Sequence, residues 1–162
     1  MPEKLDFDAS GSIPSPIGAV SVYAKDGRVV YLTMSGDAAP QFGSSPVVDD
    51  ALGQLAEYFD GKRKVLDFPV RTAGTTFQEA VWAEIAKIPF GETVSYADIA
   101  LAIGKPLASR AVGGAVGSNP VPLVIGCHRV MGASGRITGY SGGDGIPTKR
   151  WLLAHENIAS AD

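Results

Sequence analysis

The sequence predicts two consecutive parts: a small α/β unit over residues 1–70, then a mostly helical unit over residues 71–162 that carries a helix-turn-helix. Three observations predict this. An Asp26-Gly27 pair separates two apolar runs rich in β-branched residues, the signature of a type I′ hairpin. Apolar residues then recur at helical spacing in several later stretches, each with its own start or stop signals. The last two of these follow one another across a tight joint containing Gly104, the spacing of a helix-turn-helix.

Taken in order, residues 17–25 (IGAVSVYAK) and 28–34 (RVVYLTM) flank the Asp-Gly turn and are predicted as antiparallel strands. In PVVDDALGQLAEYFDG, residues Val48, Leu52, Leu55 and Phe59 share one helical face, with Ser45 and Pro46 as start signals and Gly61 as a stop. KRKVLDFPVRTAG reads as a strand running into a linker, which places the domain boundary near residue 71. The second part opens with a T-x-x-E capping pattern at Thr76 and Glu79. Phe77, Val81, Ile85 and Ile88 then line one face of a helix over 76–88, ended by Pro89. Ser95 and Asp98 start another, which runs through Ile99 and Ile103 to Gly104 with Tyr96 on its first turn. Pro106 suits a first helical position, so a third helix follows in ASRAVGGAVG (108–117). An ordinary helical hairpin satisfies the same spacing.

That third helix is unusual in composition. Gly113 and Gly114 each cost it about 1 kcal/mol relative to Ala, and Ala111, Ala115 and Gly117 leave it nearly bare of large side chains. Something therefore comes close to its backbone. Another helix would explain this, and so would a nucleic-acid groove, with Arg110 as the one large charged group on the surface.

Composition narrows the classes. Hydrophobic residues are 45% and charged residues 19% of the chain, and Gly plus Pro make 31 of 162, so a folded globular protein is expected rather than a disordered one. No apolar run approaches the roughly 20 residues of a membrane span, and the start MPEKLDFDAS has neither a basic nor an apolar leader region. A cytoplasmic location is expected. The net charge of −3 is uneven: residues 1–70 carry 6 Lys and Arg against 10 Asp and Glu, residues 71–162 carry 8 against 7. Only the second half suits a polyanion, and weakly. One Cys and two His are too few for an internal disulfide or a usual structural zinc site.

The chemistry concentrates in SNPVPLVIGCHRVMGASGRITGYSGG (118–143), where the single Cys127 follows Leu123-Val124-Ile125 and is followed by His128 and Arg129. A lone Cys is commonly inert and buried, whereas basic neighbours favour a reactive thiolate. Neighbouring side chains in an extended chain point to opposite faces, so proton transfer between Cys127 and His128 needs a bridging water.

Here the chain resembles a known family, the O6-alkylguanine-DNA alkyltransferases, also called methylated-DNA–protein-cysteine methyltransferases. The matching segments run in order along nearly the whole chain: SPIGAV, FQEAVWAEIAKIPFGETVSYADIA, SRAVGGAVGSNPVPLVIGCHRV, GYSGG and WLLAHE. The resemblance implies an α/β N-terminal domain and a helical, winged-helix-like C-terminal domain for DNA binding and alkyl transfer. It implies a single-turnover reaction in which Cys127 takes an alkyl group from O6 of guanine in double-stranded DNA, approached from the minor groove. His128 would remove the thiol proton through a water, Glu156 would orient His128, and Tyr96 would donate toward the guanine O6. Asn119 would order the turn before the active-site loop. Arg110 would fill the gap left by the flipped base, on a DNA-facing surface with Tyr96, Ala111, Gly113 and Gly114. Pro122, Val130, Tyr140, Ser141 and Gly142 would line the base pocket. Trp82 and Trp151 read as core residues. The protein is expected to act as a monomer, with cooperative binding along DNA left open, and without a cofactor. Human-type relatives hold a structural zinc through Cys and His; neither type occurs here before Cys127, so no metal is expected.

Two departures stand out. Gly126 occupies the place of the family's usual Pro, which frees φ where Pro would fix it, and slower transfer is expected. The segment DGIPT (144–148) reads as a longer loop beside the pocket. Competing readings are a damage sensor that binds alkylated guanine without removing the group, a DNA-binding regulator, and a Cys-dependent hydrolase. The sensors lack the cysteine, a regulator's recognition helix would carry several base-reading side chains, and a hydrolase would have only His128 or His155 as base.

Overall fold

The computed structural model describes residues 4–34 and 36–159. The chain forms two compact units, one ending at Thr72 and the other beginning at Ala73. In the first, β1 (Ala9–Ile13), β2 (Val20–Lys25) and β3 (Arg28–Met34) make an antiparallel sheet in the order β1-β2-β3. Asp26 and Gly27 sit at φ 51° and 77°, the two positive values that a type I′ turn requires. β1 escaped the sequence reading because ASGSI has little β-propensity. Its Gly11 is there for packing: a Cβ would lie 3.0 Å from Leu52 Cδ1 and 3.3 Å from Val48 Cγ1 of the helix laid across it.

That helix, α1 (Pro46–Phe59), has Pro46 in its first turn and Gly61 at φ 75° beyond its end. Its buried residues are Val47, Val48, Ala51, Gln54, Leu55 and Tyr58, so the face is rotated from the predicted one, with Leu52 and Phe59 at its half-buried edges. Gln54, buried on that face, accepts the Asp67 N–H on Oε1 at 2.9 Å. The strand expected in KRKVLDFPVRTAG does not form. Only a single bridge joins Val29 to Val70, because Pro69 has no N–H to continue a ladder.

The second unit contains α2 (Thr76–Ala86), β4 (Val94–Ser95), α3 (Tyr96–Ala102), α4 (Ser109–Gly117), β5 (Val130–Met131) and α5 (Ile146–His155). The capping box of α2 lies one residue earlier than expected. Thr75 Oγ1 accepts from Gln78 N at 3.1 Å and Gln78 Oε1 from Thr75 N at 2.9 Å, while Glu79 accepts from Gly74 N. Ser95 and Asp98 cap α3 reciprocally, as read from the sequence. Pro106 is not helical. It occupies a turn closed by Ala108 N donating to Lys105 O at 2.9 Å, the second turn position where its fixed φ fits.

Val81, Ile85, Ile99, Ala100, Val112 and Val130 are buried in the centre of this unit. Trp82 is buried with them and donates from Nε1 to Ala115 O at 2.8 Å, fixing α4 against α2. Trp151 is only half-buried and stacks on His155 at 4.7 Å, contrary to its expected core position. Among the described residues no helix is long and apolar enough to cross a membrane.

Candidate active site

Two local devices bring Tyr96, Asn119 and Cys127 together. β4 and β5 pair in parallel, Val94 with Val130 and Ser95 with Met131, which sets Tyr96, the next residue, beside the segment that leaves Cys127. Asn119, just after α4, bridges both ends of the intervening loop: its Oδ1 accepts from Val121 N at 2.9 Å and its Nδ2 donates to Ile125 O at 2.7 Å. The loop is tight enough to hold Leu123 at φ 77°, a conformation costing a non-glycine residue about 1–3 kcal/mol.

Ile125 O also accepts the Cys127 N–H at 2.7 Å, with Gly126 between them at φ −71°, ψ 63°. This is an inverse γ-turn, and its φ lies in the range that Pro adopts. Gly126 is therefore not there for a positive φ. A Cβ on it would lie 3.0–3.2 Å from the Arg129 guanidinium, so the bare residue leaves room for that side chain.

Cys127, His128 and Arg129 form one turn of 3-10 helix rather than an extended run. Cys127 is buried, with Sγ 4.0 Å from the Tyr140 hydroxyl. Burial pushes its thiol above the ordinary value, opposed by the Asn119 and Tyr140 side chains and by the Lys149 charge. Arg129, the basic neighbour in sequence, is turned away toward a carboxylate.

His128 is fully buried and its Nε2 lies 2.7 Å from Glu156 Oε2. Its Nδ1 is buried with no hydrogen-bond partner. Burial holds the imidazole below its ordinary value; Glu156 opposes this, and the charges of Arg129 and Lys149 reinforce it. Glu156 caps the end of α5. It receives Arg129 Nε on Oε1 at 2.8 Å, Arg129 Nη2 on Oε2 at 3.0 Å, and Gly91 N on Oε1 at 3.2 Å.

Cys127 borders a cavity of about 280 Å³ together with Tyr96, Gly113, Val116, Gly117, Gly139, Tyr140, Ser141 and Lys149. Ser141 Oγ donates to Gly117 O at 2.9 Å, tying one wall to the end of α4. Thr138 Oγ1 donates to the Tyr96 hydroxyl at 3.4 Å. Of the expected pocket residues, Tyr140 and Ser141 line the cavity, whereas Pro122, Val130 and Gly142 are not among its lining residues. Val130 turns its side chain into the core and offers its carbonyl to Lys149. Pro122 is buried in a bridge to Ile125, and the Gly142 carbonyl closes a turn with Gly145 N.

Arg110, Ala111 and Gly114 lie exposed on α4, and Gly113 is half-buried. A Cβ on Gly113, Gly114 or Gly117 would meet nothing within 4 Å. Close packing against another helix does not explain these glycines. The DGIPT segment is not simply a loop, since Ile146, Pro147 and Thr148 form the first turn of α5 and Thr148 Oγ1 accepts from Asp144 N at 2.9 Å.

Two residues of the site were not singled out in the sequence. Arg129 was visible only as a basic neighbour of Cys127. Lys149 is buried, with Nζ donating to Val130 O at 2.7 Å and Gly139 O at 3.3 Å, and burial holds its pKa below the ordinary value. Lysine is so rarely buried that nothing in the sequence flags it.

Comparison with known proteins places the chain in a family. A sequence model of the DNA binding domain of 6-O-methylguanine DNA methyltransferase matches residues 76–158. The chain is 37% identical over 154 residues to the constitutive methylated-DNA–protein-cysteine methyltransferase of Bacillus subtilis, covering 90% of this chain and 93% of that one. It is 50% identical over 109 residues to the inducible methyltransferase of the same organism, covering 67% of this chain and spanning 60% of that protein's length. The crystal structure of Mycobacterium tuberculosis OGT in complex with DNA aligns with a TM-score of 0.81 at 39% identity, over 91% of this chain and 92% of that one. The chain belongs to the 6-O-methylguanine DNA methyltransferase family.

Proposed function

We propose that this protein repairs O6-alkylated guanine in double-stranded DNA by direct reversal, moving the alkyl group irreversibly to Cys127 once per molecule. One observation carries the reading. The chain's single thiol borders a cavity of about 280 Å³, next to a fully buried His128–Glu156 pair whose outer nitrogen, His128 Nδ1, has no protein partner.

A thiol raised by burial is protonated at rest and needs a base. His128 Nδ1 takes the proton through a water, and Glu156 holds the resulting imidazolium. The thiolate then attacks the alkyl carbon: the S–C bond forms, the C–O6 bond breaks, and guanine leaves with that electron pair and regains a proton. Tyr96, on the cavity wall, donates a hydrogen bond toward the leaving oxygen. Asn119 and Tyr140 steady the sulfur. The thioether has no leaving path, so the protein is consumed.

The alkylated base must leave the duplex stack to reach a buried sulfur. We assign α3 and α4 to a helix-turn-helix whose second helix enters the minor groove by its open glycine face, with Arg110 filling the place of the flipped base. The test is intact-mass measurement after mixing with excess duplex bearing one O6-methylguanine. One methyl on Cys127, stopping at one per molecule and absent in Cys127→Ser, is expected. Transfer by the serine variant would refute the nucleophile; tight lesion binding without a mass gain would favour a damage sensor.

A further inference from the structure

We propose that Arg129 is a positioning residue for the transfer: by gripping both oxygens of Glu156 it holds His128 as a neutral imidazole with Nδ1 unprotonated, ready for the Cys127 proton. This rests on the repair reading above and adds the group that sets the state of its base.

The geometry begins with a buried carboxylate that has two cationic claimants. Arg129 contributes Nε to Oε1 at 2.8 Å and Nη2 to Oε2 at 3.0 Å, a two-pronged grip, while His128 Nε2 meets Oε2 at 2.7 Å. The third guanidinium nitrogen, Nη1, donates to Ile88 O at 2.8 Å, and Gly91 N reaches the same carboxylate at 3.2 Å. Arg129 and Glu156 are thus locked to the turn that follows α2, and the fork has no slack to exchange partners. The pair is neutral by itself, so His128 need not carry a charge to satisfy Glu156.

Without the guanidinium the balance changes. A buried carboxylate facing only His128 draws one more proton into the pair. The 2.7 Å contact holds a single hydrogen, so the extra proton has two possible arrangements. Either the imidazole carries both protons, or Glu156 is protonated and donates to Nε2 while the ring hydrogen moves to Nδ1. Both leave Nδ1 occupied, and the thiol proton then has nowhere to go. The other charged or titratable groups facing His128 are Lys149 from α5 and Cys127 on the same turn. Lys149 acts in the same sense as Arg129, but its ammonium is bonded to the Val130 and Gly139 carbonyls.

The experiment uses the full chain in three forms: wild type, Arg129→Met, which removes the charge at similar size, and Arg129→Lys, which keeps it. The rate of methyl transfer from duplex is followed from pH 5.5 to 9.5, and the imidazole nitrogens are observed by NMR with His155 as internal reference. In the wild type His128 should be neutral and protonated on Nε2 at pH 7. In Arg129→Met the acid limb of the rate profile should move up by about one pH unit or more, a loss of roughly tenfold on the acid limb itself that is smaller at pH 7 and recovers toward pH 9. Arg129→Lys should leave the limb near its wild-type place. A wild-type His128 that is imidazolium or Nδ1-protonated at pH 7 would overturn the proposal even if the Met variant fails to fold. So would a loss of rate in Arg129→Met by the same factor at every pH. A wild type that gains no methyl at all would instead overturn the repair reading, and the NMR result would still judge Arg129.

Discussion

Replacing Gly114 by Ala separates the stability of α4 from its proposed use. Gly114 lies inside the helix, is exposed, has no positive φ, and a Cβ placed on it meets no atom within 4 Å. Nothing in the protein opposes the methyl group. The gain is then the full helical difference between Gly and Ala, about 0.8–1 kcal/mol, which amounts to a rise in Tm of roughly 2–8 °C depending on whether the second unit melts alone. If α4 approaches a duplex by this face, the same methyl group stands in the interface. Methyl transfer from duplex should fall by about tenfold, a loss of about 1.4 kcal/mol, while reaction with a free alkylguanine base stays within about twofold. Thermal melting and single-turnover kinetics measure the two sides. A lower Tm would refute the view that the space is open, and a higher Tm with undiminished transfer from duplex would refute the docking of α4 at this point.

Arg110→Ala should slow transfer from duplex much more than transfer from the free base, because Arg110 is exposed on α4 and is not among the residues lining the cavity; equal losses on both substrates would contradict its assignment to DNA. At position 126 the ordering of Tm should be wild type, then Pro, then Ala. Any Cβ there crowds the pinned Arg129, and Pro recovers about 0.4–1 kcal/mol because its φ is already in place; an Ala variant as stable as wild type would refute the crowding. Acid should destabilise the fold. The His128 pKa is lowered in the folded state, so below about pH 6.5 the unfolded chain binds a proton that the folded chain does not. Stability is therefore retained above that value and falls as pH drops below it, by up to about 1.4 kcal/mol per pH unit until the folded pKa is reached. Lys149, also lowered, gives a slope of the same sign at higher pH. A Tm that is flat or rises from pH 6.5 to 5 would contradict this.

Whether a feature was legible in the sequence followed the range of the interaction behind it. The Asp26-Gly27 turn, the Ser95–Asp98 capping box and the end of α1 at Gly61 are decided within a few residues, so local chemistry suffices to place them. The capping box at Thr75 and Gln78 was off by one because TTFQE offers two threonines with suitable partners. β1 and the failed strand near Val70 depended on what packs or pairs across the sheet, which propensity does not contain. The same division runs through the site. Cys127, His128, Tyr96, Asn119 and Glu156 were named from the order of segments along the chain.

What only the folded molecule decided is which way the charges face. Arg129 is adjacent to Cys127 in sequence, yet one turn of 3-10 helix sends its guanidinium to Glu156, 27 residues away. Lys149 is brought inside because two backbone carbonyls can replace its water, and the glycines of α4 are left facing open space rather than a packed neighbour. The sequence by itself determined the helices, the turns and the single thiol, because periodicity, caps and residue type are local. The tertiary structure alone decided the partners of the buried ions and the direction in which burial moves the thiol and imidazole pKa values, because burial and Coulomb interactions depend on groups that meet only when the chain has folded.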